Sequence, residues 1–273
     1  RKIGAWTQGP AQSPEGWVVV TPRLLPVFTA SRWQTVNRWL LANQMARWIR
    51  RYEIERAILF FTTPRYAAAT RLYAHWPMIT YFSDAYARHR ELSAPERQRM
   101  QEEEDLLLSA SQLVLGCSMP LYRELVQRTD PKKVVHYPHQ VDVQRFLEAR
   151  TKLKVPPDLQ TLPRPIIGYY GTLTDSNDWE TLRYAATRRP NYTFVLVGTK
   201  EIAHTGLEGQ ANVRFLGARP FEMIPAYGAA FDVAIMFWVL RDWIRYCSPL
   251  KLREYLALGV PVVSTWIDDV AEC

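Results

Sequence analysis

Short apolar runs alternate with amphipathic stretches along nearly the whole chain, and this alternation constrains the fold more than any single motif does. Trp17–Thr21, Ala57–Phe61, Met78–Phe82, Gln112–Gly116 and Lys133–Tyr137 are rich in Val, Ile, Leu, Phe and Tyr and are bounded by turn residues, so strands are predicted there. Helical periodicity fills about 32–51, 65–75, 95–109 and 119–128 between them. A β-α-β-α order implies a parallel sheet covered on both faces. Residues 149–165 then break the pattern with Pro156, Pro157, Pro163 and Pro165. Beyond them the alternation resumes. Strands are predicted at Ile166–Tyr170, Thr193–Val197, Asn212–Leu216, Asp232–Met236 and Val260–Thr265. Helices are predicted from the capping-box spacing of Asn177 and Glu180 to about Arg188, near 221–229 and over 249–258. The expected organisation is an α/β Rossmann-like domain over 1–150, a linker over 151–165 and a second Rossmann-like domain over 166–273. Ligands of open parallel sheets bind at the carboxyl ends of the strands, so functional residues are sought just after strands.

Composition narrows the class. Hydrophobic residues make up 48% and charged residues 22%, which suits a folded globular chain and not a disordered one. No apolar run approaches the roughly 20 residues that span a bilayer. No signal peptide is visible, although Arg1 is not a natural start and leaves room for a lost leader. Cys117, Cys247 and Cys273 are too far apart for a disulfide framework or a zinc site, so reduced thiols in a cytoplasmic protein are expected. The net charge is +7, from 34 Lys+Arg against 27 Asp+Glu, and suits an anionic partner. No nucleic-acid module signature accompanies it.

The stretch Ser248-Pro-Leu-Lys-Leu-Arg-Glu-Tyr-Leu-Ala-Leu-Gly-Val-Pro-Val-Val-Ser-Thr265 carries the most information. Ser248 is the expected N-cap, Pro249 a first-turn proline and Gly259 the C-terminal cap, and Pro261 blocks continuation. Free N–H groups and the positive dipole end at the helix start form a ready site for a diphosphate. Lys251, one turn in, adds a charge to it, and Glu254 can accept hydrogen bonds from sugar or ribose hydroxyls. The alternative is a surface helix with an ordinary Lys–Glu pair.

This stretch resembles the donor-site signature of GT-B glycosyltransferases, closest to the bacterial branch that makes cell-wall and extracellular polysaccharides. Further pieces follow in order: Ile167-Gly-Tyr-Tyr-Gly-Thr172, Phe194-Val-Leu-Val-Gly198, Asn212-Val-Arg-Phe-Leu-Gly217, Ile224-Pro-Ala-Tyr227 and Phe231-Asp-Val-Ala-Ile235. In the first half, Ser109–Ser118 and His136-Tyr-Pro-His-Gln-Val-Asp142 with Phe146 resemble family elements too. The resemblance implies the GT-B fold, two Rossmann-like domains facing a cleft. It also implies sugar transfer from a UDP- or GDP-sugar to a polysaccharide, lipid-linked or cell-envelope acceptor, with no bound metal and no cofactor. The donor would be met by Gly171, Thr172, Arg219, Phe237, Ser248, Pro249, Leu250, Lys251 and Glu254. For Phe237 and its neighbour Trp238 the other reading is a partly buried aromatic. Thr172, Asn177-Asp178 and Tyr246 depart from the retaining family-4 pattern, which has cations at the first two places and a glutamate at the third. The match is nearer to enzymes resembling the xanthan glucuronosyltransferase and the teichuronic acid transferases, and both inverting and retaining courses stay open.

Asp84 follows the strand Met78–Phe82, and the same resemblance makes it the catalytic base. The alternative is a cap on the stretch from Ala85. Arg88 and His89 come next, either for an acidic acceptor or as a solvated basic face. Residues 32–51 are amphipathic and arginine-rich, fitting either peripheral contact with the inner face of the cytoplasmic membrane or packing on the first sheet. His75, His136, His204 and Asp268-Asp269 lack metal-ligand spacing. The resemblance also leads one to expect more chain at both ends. Two other functions are kept: a noncatalytic nucleotide-sugar-binding or scaffold subunit, and a nucleotide-sugar 2-epimerase-like enzyme.

Overall fold

A computed structural model describes residues 11–12, 18–20, 22–23, 31–89 and 91–271. Trp17 and Cys273 lie outside the described residues. In chain order the elements are β1 (Ala11–Gln12), β2 (Val18–Val19), α1 (Ser31–Arg51), β3 (Leu59–Phe61), α2 (Ala69–Leu72), β4 (Met78–Phe82), α3 (Ala94–Ala110), β5 (Leu113–Gly116), α4 (Met119–Arg128) and β6 (Val134–His136). There follow α5 (Val143–Lys152), α6 (Pro157–Gln160), β7 (Ile166–Tyr170), α7 (Trp179–Arg188), β8 (Thr193–Val197), β9 (Val213–Gly217), α8 (Ile224–Ala229), β10 (Val233–Met236), α9 (Leu250–Ala257), β11 (Val262–Ser264) and α10 (Asp268–Ala271).

The chain divides into two compact units. One holds residues up to 82, 86–115 and 125–135, and the other holds 83–85, 116–124 and everything from 136 on. The first contains a four-stranded sheet of order β3-β4-β5-β6, with Leu59 of β3 in parallel register with Met78 of β4. Helix α3 opens on a full capping box, in which Ser93 and Glu96 exchange side-chain and backbone bonds. Along α1, Leu41 is buried while Val36, Arg38, Trp39, Arg47 and Arg50 are exposed.

The second unit is built on a five-stranded sheet of order β11-β10-β7-β8-β9, with parallel pairing throughout. Its strands alternate with period two between two cores, as a sheet covered on both faces requires. Ile166, Tyr170, Val195 and Val197 pack with Phe231, Leu252 and Tyr255 on one side. Ile167, Tyr169, Phe194 and Leu196 pack with Leu182, Leu207 and Phe237 on the other. Each such side chain contributes about 1.5–3 kcal/mol by leaving water. Gly168 has no side chain because the Phe231 ring occupies that space.

Two local expectations are corrected. The N-cap of α7 is Asp178, whose carboxylate accepts from the Thr181 N–H at 2.9 Å, whereas Asn177 closes the preceding turn by accepting from the Thr174 N–H. Residues 143–160, partly assigned to a linker on proline count, form α5 and α6. Phe146, Ala149 and Leu159 are buried in the second unit's core, and the prolines sit where helices begin or the chain turns. No described helix is long and apolar enough to cross a membrane.

Candidate donor and base site

The strand order reverses between β7 and β10. Chain leaving β7 crosses to β8 and β9 on one side, then to β10 and β11 on the other. Open parallel sheets bind ligands at such a switch point, outside the carboxyl ends of the two strands. The residues expected to hold a donor gather there.

Gly171 ends β7 with φ +140°, a conformation that L side chains rarely adopt. A Cβ on it would collide with Cε of Lys251 and come within 2.8 Å of Lys251 Nζ. Lys251, in the first turn of α9, therefore lies over the Gly171 backbone, with Nζ 5.7 Å from the centre of the Tyr169 ring. Thr172 is exposed beside it.

Helix α9 begins one residue later than expected. Its N-cap is Pro249, Leu250 is the first helical residue, and no side chain caps it. Ser248 fails as the cap because it is buried and its Oγ accepts from Arg253 Nη1 at 3.3 Å. The helix start thus keeps backbone N–H groups and a positive dipole end for an anion. Glu254 is buried beside Lys251 and the Tyr170 hydroxyl, and burial raises its carboxyl above the usual range. The phenol of Tyr255 is fully enclosed and accepts from the Tyr170 N–H at 3.1 Å, which ties α9 to β7.

Two expected donor residues are engaged differently. Phe237 is a core residue: 6% exposed, it meets Tyr169 and Trp179 edge-on at 5.2 and 5.5 Å. Its chain position after β10 suited a lining role, but the pleat turns it inward; Trp238 is held by its N–H to Thr265 Oγ1 at 2.7 Å. Arg219 donates to Tyr227 Oη at 2.8 Å, to Asp158 Oδ2 at 2.9 Å and to the Leu216 and Ala218 carbonyls, so its guanidinium braces α6 against α8.

Asp84 follows a strand of the first sheet, yet it clusters with the second unit. Its Oδ1 accepts from the N–H of the next residue, Ala85, at 2.7 Å, a bond ahead of the 3-10 turn that follows and not the N2 or N3 bond of a helix cap. Around it the fold brings together residues the sequence reading did not single out. His139 donates a ring N–H to the Ser83 carbonyl, and burial and the Arg253 charge hold its pKa below the usual imidazole value, against the opposing pull of Asp269 and Asp84. Arg253 Nη1 stands 3.9 Å from Asp269, a 3% exposed carboxylate that accepts from the Met119 N–H at the start of α4. Cys117 and Cys247 lie in the same region as free thiols. Burial, with Asp84 and Asp269 nearby, pushes Cys117 up to about 12 and Cys247 higher still, so neither is a thiolate at neutral pH. His139 belonged to a quoted family element and Arg253 to the donor stretch, so spacing could have flagged both. In the first unit, Arg88 ends a single 3-10 turn, and the His89 ring lies nearly parallel to that of Tyr86, centroids 6.2 Å apart. Among the described residues no three His, Cys, Asp or Glu side chains group as metal ligands.

The architecture is the GT-B fold of the solved structures it superposes on, and residues 164–273 match the model of the family described as "Glycosyl transferases group 1". A relative among curated proteins is TuaH of Bacillus subtilis (strain 168), described as a glycosyltransferase of teichuronic acid biosynthesis. It is 26% identical over 222 residues, which cover 77% of this chain and 56% of TuaH, so the chain spans just over half of that relative's length. Anabaena HepE, crystallised with UDP and glucose, superposes with a TM-score of 0.63 at 18% identity over 91% of this chain and 67% of HepE. Sucrose-phosphate synthase of Thermosynechococcus elongatus gives 0.65 at 16% identity over 94% and 67%.

Proposed function

We propose that the chain acts as a glycosyltransferase that moves a sugar from a nucleoside diphosphate to a hydroxyl group of a cell-envelope polysaccharide or lipid-linked acceptor. The observation that carries this reading is the seating of Lys251, at the uncapped start of α9, on the backbone of Gly171 at the end of β7. A diphosphate placed there meets the helix N–H groups, the lysine charge and a glycine backbone that admits close approach. Glu254 accepts hydrogen bonds from ribose or sugar hydroxyls, and Thr172, Pro249 and Leu250 border the donor. TuaH and the UDP complex of HepE support a nucleotide-sugar donor and a glycan acceptor.

In the reaction the acceptor oxygen attacks the anomeric carbon. The bond from that carbon to the phosphate oxygen breaks, and its electron pair leaves with the diphosphate. Lys251 and the helix dipole stabilise the charge that develops there, in the role a divalent ion fills in other transferases. In the inverting course Asp84 takes the acceptor proton, steadied by the hydrogen bond from His139 to the adjoining Ser83 carbonyl. We further propose a cytoplasmic enzyme that contacts an anionic membrane through α1, where Val36 and Trp39 are exposed along with Arg38, Arg47 and Arg50.

The test is nucleotide release from a panel of UDP- and GDP-sugars, with a detergent extract of envelope lipids and glycans as acceptor. One donor should turn over in an acceptor-dependent way, and Asp84→Asn should reduce kcat by at least about a hundredfold. Binding of nucleotide without turnover by any donor would favour a scaffold subunit instead.

A further inference from the structure

Arg241 lies at the switch point but has no part in the donor contacts described above. The loop that carries it, after β10, is sewn onto the turn after β7. The Asp178 N–H donates to the Phe237 carbonyl at 2.9 Å and the Val239 N–H to the Ser176 carbonyl at 2.9 Å, while Asn177 and Trp238 form an antiparallel bridge. Within this seam Arg241 Nη2 donates to the Asp175 carbonyl at 3.0 Å. Its Nη1 is buried and has no hydrogen-bond acceptor among the described residues; the Asp175 carboxylate stands 3.6 Å away.

A guanidinium N–H that faces a carboxylate at 3.6 Å without a hydrogen bond is under-satisfied, and such a buried group calls for an explanation, of which a bound ion is one. This donor is carried by the loop after β10 and fixed to the turn after β7, the two segments that follow the strands at the switch point. Its planar fork suits a phosphate oxygen pair better than a point charge does.

We propose that Arg241 is a further anion-binding residue of this site, which holds a phosphate of the nucleoside diphosphate together with Lys251. The inference rests on the donor-site reading above. Asp175 keeps the guanidinium in place until the anion competes for it.

The test measures the Kd of UDP by titration calorimetry, with thermal melts alongside, for wild type, Arg241→Ala, Arg241→Lys, Asp175→Asn and Lys251→Ala. Arg241→Ala should weaken UDP about tenfold and Arg241→Lys less, since the lysine keeps the charge but loses the fork. Asp175→Asn should bind UDP as tightly as wild type or more tightly, because it removes a competing carboxylate and leaves the backbone acceptor. Equal weakening in Arg241→Ala and Asp175→Asn would make Arg241 a mere loop clamp and overturn the proposal. So would unchanged binding in Arg241→Ala while Lys251→Ala loses affinity. Unchanged binding in Lys251→Ala, or a wild type that binds none of UDP, GDP and ADP, would instead remove the donor-site reading on which the proposal stands.

Discussion

Lys251 occupies the space that a side chain on Gly171 would need: an added Cβ would lie 2.8 Å from its Nζ and 3.0 Å from the Tyr169 hydroxyl. Gly171→Ala therefore has two costs, the φ of +140° and the displaced lysine. The expected result is a loss of about 1–3 kcal/mol of stability and a fall of at least about a hundredfold in kcat/KM. Melts and initial rates on the same preparation measure both, and full activity in a folded Gly171→Ala would contradict the placement of Lys251.

Glu254 links function to stability with opposite signs. Burial raises its folded pKa above the unfolded value, so its contribution is fully present below the unfolded carboxyl pKa and is lost as pH rises through the folded one. Glu254→Gln should accordingly melt higher than wild type near neutral pH, with the gap closing in acid. The same variant should lose about tenfold to a hundredfold in kcat/KM, since an amide is a poorer acceptor for donor hydroxyls than a carboxylate. A variant that melts lower at every pH would show that the carboxylate is structurally satisfied.

Arg150 closes the opposite end of α9. Its Nη1 donates to the Leu258 carbonyl at 3.0 Å and to the Gly259 carbonyl at 3.2 Å, just beyond the last turn of α9. A cation there satisfies exposed carbonyls and complements the dipole. Arg150→Ala should destabilise the fold by about 1–2 kcal/mol and speed amide exchange at 256–259, with Arg150→Lys intermediate. Unchanged exchange would remove Arg150 from the support of α9.

Glu103, in α3 of the first unit, has its carboxyl raised to about 7, chiefly by burial, against the charges of Arg99 and Arg65. The same sign applies: stability from this group is lost as pH rises from about 4.5 to about 7. Glu103→Gln should gain about 1 kcal/mol over wild type at pH 8 and nothing at pH 4, a figure reduced for the solvent that still reaches the group. Urea melts at the two pH values provide the check.

The fold was legible because two-sided burial leaves a plain trace in sequence: β7 and β8 are continuous apolar runs, and Gly168 and Gly171 mark where ring or lysine takes the place of a side chain. Helix α9 was legible from its cap and stop residues, but its start was misplaced, since Ser248 is a good cap by type and only its contact with Arg253 shows it engaged elsewhere. For Phe237 both a donor-bordering and a buried reading stood open, because position after a strand does not reveal which way the next residue points; the structure has it buried. The grouping around Asp84 was legible only in part: His139 and Arg253 lie in stretches the resemblance covers, but their convergence with Asp269 from distant segments is encoded in no local periodicity. Arg241 was hidden for the same reason, being joined to Asp175 by the pairing of two loops.

The central claim is that Lys251 at the start of α9 holds the diphosphate of a sugar donor that this chain turns over. The most direct measurement is the initial rate of nucleotide release with the preferred donor at saturating acceptor, in wild type and Lys251→Ala, on protein shown by melting to be folded. The account expects acceptor-dependent release in wild type and a rate at least about a hundredfold lower in Lys251→Ala. A folded Lys251→Ala that releases nucleotide at the wild-type rate would contradict it.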